Sequence, residues 1–565
     1  MFLFHPQRRD RDYPDQRSEE VMASTIGFFE DKGLERIKED DHAAVWYQDF
    51  IDFVGENRIF ATMCTPEEYG AEDARWDTWR VTEFAEILGF YGLPYWYTYQ
   101  VSVLGLGPIW MSDNELQKER AAALQEEGAI FAFGLSEKEH GADLYSNEMA
   151  LTATGEGTYV ANGSKYYIGN GNAARMISTF GKLSDTGENV CFVVDSQHPN
   201  FKLVKNVVHS QNYVSEFTLD DYPITDADIL HRGEAAWNAA LNTVNIGKYN
   251  LGWASIGMAT HAFYEAINHA ATRHLSGMTV TDFPHAQRLF TDAYVRLVAM
   301  KLVALRAADY MRSASPEDRR YLLYNPIVKM KVTTQGEDVV DNVWDVIAAK
   351  GFEKDGFFEM ATRDIRALPK LEGTVHVNIA LIVKFMQSYL FEPTEMPQVG
   401  TRSDAANDSF LFDQGPTKGL GNIRFHDYTK AFSRHDLPNV RAFADQIDRF
   451  KAMLAAEPPS PDQLKDTDWL LAVGELFALI VYSELMLENA DVYDVPSEVI
   501  DEYFDVAVRD FSQYAVDLHG KPTTTSAQAE HCRGMIRRPI PNAERFDRVW
   551  NDHVLALKDV YHMSP

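Results

Sequence analysis

The run FAFGLSEKEHGAD, Phe131 to Asp143, sets glycines, a serine and several acidic side chains where helix-forming sequence gives way to strand-forming sequence. Such a run exposes backbone N–H groups and hydroxyls along which a ligand can lie, although composition alone favours a solvated loop. Within it, Glu137-x-x-His140 has the spacing of half a di-iron ligand set. That chemistry needs a second such motif on a facing helix and two further glutamates. No second copy occurs, and Gly134 and Gly141 flank this one, so no metal is expected. Cys64, Cys191 and Cys532 form no CxxC pair and make neither a zinc or redox motif nor a disulfide framework. No convincing GxGxxG loop offers a dinucleotide cradle of the Rossmann kind.

The chain that must position these residues has 565 of them, a length that suggests roughly four compact units. Hydrophobic residues make up 45% and charged residues 24%, values of an ordinary globular protein. Lys plus Arg number 53 against 84 Asp plus Glu, a net charge of −31. This disfavours nucleic-acid binding, which needs a basic face, yet leaves room for a small anion held by a few local cations. The N-terminal MFLFHPQRRDRDYPDQ is too short in apolar residues for a signal-peptide core. The most apolar stretch, Trp469 to Tyr482, is interrupted by Glu475 and falls short of the ~20 residues of a membrane span. A soluble, cytoplasmic protein of a reducing compartment is expected.

Residues 1–130 read as an N-terminal α-helical domain, with Asn114 before ELQKERAAALQEEG as a helix start and Gly128 as a C-cap. From 131 to 233, period-two runs such as TYVANGSKYYIGNG and NVCFVVD alternate with turn signals, Asn162-Gly163 and Asn170-Gly171 among them. They predict a middle antiparallel β-barrel or sandwich. Residues 234–391 return to helical periodicity, a C-terminal α-helical bundle. A Pro-, Gly- and Asp-rich linker or surface wrap begins at 392, and an extra helical domain runs to 565. The fold class is thus α+β multidomain: helices, then sheet, then helices.

LSEKEHGAD resembles the LTEPEAGSD motif of the acyl-CoA dehydrogenase family, and YVANGSKYYIGNG is similar to its YVLNGxKxxITNG. LGLGPIWMSDNELQKERAAALQEEG, SEFTLDDYPITDADIL, GMATHAFYEAINHAATRHLSG and FFEMATRDIRALPKLEGTVHVN resemble further family segments in the family's order. The resemblance implies FAD held between the sheet domain and the C-terminal bundle. It implies that Phe133, Leu135 and Ser136 line the flavin and that Tyr167 covers its ring, with Ile168 and Gly169 following. Arg273 matches the arginine on the FAD pyrophosphate, Gln287 a nearby glutamine, and Thr374 a flavin contact. Asp345 and Ala349 lie where the family approaches the flavin of a partner subunit.

Glu372 matches the family's base. In that chemistry a proton leaves the carbon α to a thioester carbonyl while the β-hydrogen departs as hydride to flavin N5. The site must stabilise the enolate oxygen, for which the family uses a backbone N–H and a ribityl hydroxyl. A base partly buried within reach of Cα gains basicity, and Gly373 permits a tight backbone path. Some relatives carry the base on another helix, but Asn245, Ile246 and Gly247 beside Lys248 cannot serve. Ala142, Lys248, Trp96, Gln100 and Gly373 are the implied substrate-side positions. Bulky Trp96, Tyr97, Tyr99 and Gln100 shorten the acyl pocket or simply pack a core.

Several positions depart from the family pattern: Ala142 for Ser, Gly169 for Thr, Ala348-Ala349 for Gly-Gly, Asp345 for Gln and Leu371 for Tyr. They mark a divergent branch. The C-terminal extension resembles in position that of the very-long-chain members, which implies a homodimer. Arg533, Arg537 and Arg538 give at most weak membrane contact in so acidic a chain. The expected activity is acyl-CoA dehydrogenation with electrons passed to an electron-transfer flavoprotein. The alternatives are an acyl-CoA oxidase using dioxygen and a catalytically weak assembly protein.

Overall fold

The computed structural model describes residues 3–7 and 13–565, so the reading of the N-terminal MFLFHPQRRDRDYPDQ lies partly outside the described residues. The chain forms two compact units. Residues 13–250 cluster with Ser403–Lys418 and Met563–Pro565; residues 3–7 cluster with Leu251–Arg402 and Gly419–His562.

In the sheet-bearing unit, short polar side chains start the helices. Asp15 accepts from Ser18 N at the head of Gln16–His42, and Asp77 does the same for Trp79 N before Thr78–Tyr91. Asn114 caps Glu115–Glu126 as the sequence predicts. That helix ends at Gly128, whose φ of 80° and 2.7 Å approach of its Cβ position to Gly55 Cα admit no side chain. Every residue of the helix Leu93–Trp110 is buried, which makes it the core about which the unit is assembled.

Eight strands follow: β1 (Phe131–Gly134), β2 (Ala150–Gly155), β3 (Thr158–Gly169), β4 (Met176–Leu183), β5 (Asn189–Val194), β6 (Phe201–Asn206), β7 (Val214–Thr225) and β8 (Ile229–Arg232). Their order is β6-β7-β3-β2-β4-β5-β8, with β1 also on β4. The sheet is mixed rather than purely antiparallel, because β4 runs parallel to both β1 and β2. Alternating burial reveals a strand but not its partner's direction. Asn162-Gly163 is likewise no turn: it lies inside β3 at a bulge against β7, where Gly163 passes Met149 too closely for a Cβ. The Ser403–Lys418 segment, within the expected linker, is tied down in this unit. Asp408 accepts from Thr78 N at 2.7 Å, and Asn242 donates to Gly415 O at 2.9 Å.

The helical unit contains Asn250–Thr272, Pro284–Arg312, Thr333–Ile347, Phe357–Asp364 and Val375–Ile382, followed by Pro438–Ala456, Thr467–Val492 and Ser497–His519. The later helices pack on the earlier ones as one body. Arg296 pairs with Asp510 at 2.8 Å, Arg509 with Asp292 at 2.9 Å, and Asn489 donates to Leu302 O. Thr467–Val492 is longer than its sequence suggests. Its length and composition would allow a membrane crossing, yet 83% of its most apolar window is buried inside the unit, the position of a core helix.

Near that helix, ligand atoms of His426, Glu484 and Glu488 lie within 4.8 Å of one another. Guanidinium groups already serve this cluster. Arg306 pairs with Glu488 at 2.6 Å, and Arg320 donates to His426 Nδ1 at 2.8 Å while Nε2 faces both carboxylates. Arg306 is committed to Glu488 and Arg320 to Asp318, and the His426 ring lies between Arg320 and the two carboxylates where a cation would otherwise sit.

Candidate active site

In the sheet-bearing unit the structure brings together the residues around Ser136 and Tyr167. As β1 ends, Leu135 O accepts from Lys165 Nζ at 3.1 Å and Ser136 O accepts from Tyr166 N at 3.0 Å. The 135–137 loop is therefore laced to the end of β3. Glu137 completes the lacing: its carboxylate accepts from Lys165 at 2.8 Å, from Glu148 N at 2.8 Å and from Met149 N at 3.0 Å. Burial lowers the Lys165 ammonium to about 8 despite the pull of Glu137. Burial pushes the Glu137 carboxyl the other way, but Lys165 and the two backbone donors outweigh it and leave it below its usual range. Glu137 thus has a lysine partner, and ligand atoms of Glu137, His140 and the exposed Glu148 lie within 4.8 Å of one another, His140 Nε2 meeting Glu148 at 3.5 Å.

Tyr167 has φ 63° and is 60% exposed. A large ring held outward on a left-handed backbone is a strained, solvent-facing arrangement of the kind that collects at ligand sites. Ile168 is buried, and its carbonyl accepts from Ser215 Oγ at 2.8 Å. Asn170, which the sequence marks only as a turn residue, is fully buried with φ 59°. Its amide donates to Thr98 O at 2.9 Å and Phe131 O at 3.0 Å and accepts from Thr98 Oγ1 at 2.8 Å. One side chain thereby joins the end of β3, the start of β1 and the Leu93–Trp110 helix. Phe133 is buried on β1, and Ala142, exposed, has φ 60°. On the central helix Trp96 is fully buried and Gln100 is bonded to Gly247 O and Asn250. Lys248 is buried.

In the helical unit Glu372 occupies the turn before Val375–Ile382. Its φ is 52° and that of Gly373 is 86°, two successive left-handed residues, which cost the glutamate about 1–2 kcal/mol and the glycine little. Glu372 is half-buried, and its Oε2 is shielded from solvent. The surrounding structure holds this strain. Buried Lys329, on the π-helical turn Val328–Val332, donates to Pro369 O at 2.6 Å. Lys370 pairs with Glu337 at 2.7 Å and Arg366 with Asp341. Asn378 donates to Gly373 O at 3.3 Å and Thr374 O at 2.9 Å, and Thr374 caps the next helix by accepting from Val377 N.

Arg273 precedes the hairpin of His274–Leu275 and Met278–Thr279, closed by Val280 N donating to Arg273 O. Its guanidinium meets no acceptor among the described residues. Gln287 donates to Thr281 O at 3.0 Å on the far side of the hairpin. Burial, then Lys350 and Arg273, press the His269 pKa below its ordinary value, and the buried Nε2 of His269 has no hydrogen-bond partner among the described residues. Lys350 is paired with Glu353 at 2.8 Å, which leaves Arg273 and His269 Nε2 as the groups here that suit an anion. Asp345 and Ala349 are exposed. Ala348 has φ 56° and ψ −131°, a conformation made for glycine. Ala348→Gly is expected to stabilise the protein by about 1 kcal/mol, read as a higher denaturant midpoint at unchanged m-value.

Sequence reasoning passed over Lys165, Asn170 and Lys329. The available signal was a lysine at an inward position of a strand pattern, since a buried lysine demands a partner.

Residues 132–221 match the family model described as acyl-CoA dehydrogenase, middle domain, and residues 235–387 that of acyl-CoA dehydrogenase, C-terminal domain. The short-chain specific acyl-CoA dehydrogenase of Megasphaera elsdenii is 23% identical over 361 residues, 62% of this chain and 93% of that protein. The crystal structure of an acyl-CoA dehydrogenase complexed with FAD from Bacillus anthracis is similar at TM-score 0.76 and 16% identity, over 99% of this chain and 97% of that one. Butyryl-CoA dehydrogenase from Megasphaera elsdenii is similar at TM-score 0.57 and 23% identity, over 66% and 98%. Two consecutive domains of the acyl-CoA dehydrogenase family, the middle and then the C-terminal one, are thus present in this chain at residues 132–221 and 235–387, on the helix–sheet–helix fold.

Proposed function

We propose that the protein is an FAD-dependent acyl-CoA dehydrogenase that converts an acyl-CoA thioester to the trans-2-enoyl-CoA, with Glu372 as the α-proton base. The observation that carries this reading is the strained, braced turn that holds Glu372 half-buried in the segment corresponding to the family's C-terminal domain. Its carboxylate takes the proton from Cα, the electron pair moves toward the thioester carbonyl, and the Cα–Cβ double bond forms as hydride leaves Cβ. FAD, when bound, supplies the acceptor for that hydride.

The residues present suit FAD. Tyr167 offers an exposed ring face, Phe133, Leu135 and Ser136 line the neighbouring loop, and Ile168 and Gly169 follow on β3. Arg273 and the unpartnered His269 Nε2 suit a diphosphate, with Gln287, Asp345, Ala349 and Thr374 as further contacts by resemblance. Ala142, Lys248, Trp96, Gln100 and Gly373 are the substrate-side positions. Bulky, buried Trp96, Tyr97 and Tyr99 support a short or medium acyl chain.

Electron delivery to an electron-transfer flavoprotein belongs to the same reading. So does a homodimer, supported by the covering of Pro284–Arg312 through Arg296–Asp510 and Arg509–Asp292. Cytoplasmic placement is supported by three buried, free cysteines.

The test is the visible spectrum of the purified protein supplied with FAD. Absorbance near ~450 nm, typical of an oxidised flavin cofactor, should bleach anaerobically with one member of an acyl-CoA panel and recolour slowly in air. Fast recolouring in air would favour the oxidase; a protein that takes up no FAD would contradict the proposal.

A further inference from the structure

We infer that Lys331 is a positioning residue for Glu372, tying the C-terminal extension to the turn of the base through Lys329 and the π-helical turn that the two lysines share. This rests on the base reading above.

Val328–Val332 is a π-helical turn, buried throughout, between Tyr321–Ile327 and Thr333–Ile347. Such wide turns are rare and collect at functional sites. The hydroxyls of Thr333 and Thr334 donate back to the carbonyls of Lys329, Met330 and Lys331. Residues two apart on a helix do not share a face, so the two lysines serve different neighbours. Lys329 donates at 2.6 Å to the carbonyl of Pro369, three residues before Glu372. Lys331, 2% exposed, donates to Tyr514 Oη and lies 3.4 Å from Glu475 Oε2.

Both partners of Lys331 lie beyond residue 387, where the match to the family's C-terminal domain ends. Burial pulls the Lys331 pKa down, but Tyr514 and Glu475, then Asp510, outweigh it and hold it above the ordinary lysine value. The charge on this turn is therefore balanced from the extension. A π-helical turn relaxes to ordinary α-helix by rotating its residues about the axis, which would swing Lys329 off Pro369 O. Anchoring Lys331 opposes that rotation. The left-handed backbone of Glu372 persists only while its surroundings hold it. The helix that carries Glu475 also touches the segment after the base. A Cβ on Gly474 would lie 2.2 Å from Ile379 Cγ2, so the helix Val375–Ile382 rests on the extension's backbone.

The test removes the anchor without emptying the core. Tyr514→Phe with Glu475→Gln, in the full chain loaded with FAD, should lower kcat about tenfold on the acyl-CoA that bleaches the protein best, the cost of a base held slightly out of line. KM should stay within about twofold, and flavin content and spectrum should match wild type, which a general loosening of the fold would not leave untouched. Lys329→Met should cost about as much, and the three substitutions together little more than either, because one contact carries both effects. If the double variant fails to fold, Tyr514→Phe alone is read in the same way, with about a threefold loss. Unchanged kcat in a folded, yellow variant overturns the assignment. So does a loss that shows only as weaker FAD or thioester binding, and so do effects that multiply. Glu372→Gln, measured alongside, separates the two readings. If it turns over normally, the base reading falls and this inference with it. If it is inactive while Tyr514→Phe with Glu475→Gln keeps wild-type kcat, this inference alone falls.

Discussion

Glu372→Gln is expected to lower turnover by about 10²–10⁴-fold while the protein folds and takes up FAD as before. Glutamine preserves size and can still form hydrogen bonds, so the braced turn has no reason to change. Lys329 on Pro369 O, Lys370 on Glu337 and Asn378 on Gly373 O hold it without using the Glu372 carboxylate. What disappears is the group that accepts the α-proton. That interaction exists only in the transition state, so kcat and kcat/KM should fall together with KM little altered. Glu372→Asp retracts the carboxylate by one methylene and is expected to lose about 10²-fold, as small misplacements do. Steady-state kinetics on the acyl-CoA that bleaches the protein best would read both.

Lys165→Met is expected to destabilise the protein by about 3 kcal/mol, because it leaves the Glu137 carboxylate buried without its cation. The two side chains are 0% and 7% exposed and 2.8 Å apart. Glu137→Gln with Lys165→Met should recover most of the loss, since an amide costs less to bury than an unpaired charge. The pH dependence follows from the shifts. Glu137 is lowered from 4.5, so the stability it contributes is present above that value and is lost as pH falls through its folded-state pKa. In Lys165→Met the carboxyl rises instead, so the deficit should shrink as pH falls through that raised folded-state pKa toward 4.5. Lys165 is lowered from 10.5 to about 8. Between these values the unfolded chain holds a proton that the folded chain has released, so wild-type stability should climb with pH there and that of Lys165→Met should not. Denaturation midpoints across pH would check each slope. Because the pair laces Leu135 and Ser136 to β3, the variant should also bind FAD more weakly.

The order of elements and most of their identities were readable in the sequence, since burial periodicity and capping residues act locally. Asn114 begins its helix and Gly128 ends its own. What sequence could not supply was partner direction and long-range contact. β4 runs parallel to β1 and β2, and Asn162-Gly163 forms a bulge, because either outcome fits the same alternating pattern. The site divided in the same way. Motif resemblance indicated Glu372, Ser136 and Tyr167. The left-handed backbone of Tyr167 and the pairs beside it, Lys165–Glu137 and Thr98–Asn170, depend on residues 28 and 72 positions apart. Gly169 stands in the sequence only as a departure from threonine; that a Cβ there would meet Tyr97 and Val101 required coordinates.

The most direct check on the base is the exchange of substrate α-hydrogen with solvent. An acyl-CoA deuterated at Cα would be incubated anaerobically with the flavin-loaded protein and with its Glu372→Gln variant, and followed by mass spectrometry. Wild type should replace the α-deuterium with solvent protium, while the variant, binding FAD and thioester alike, should retain it. Deuterium loss from Glu372→Gln at the wild-type rate would mean that another group takes the proton.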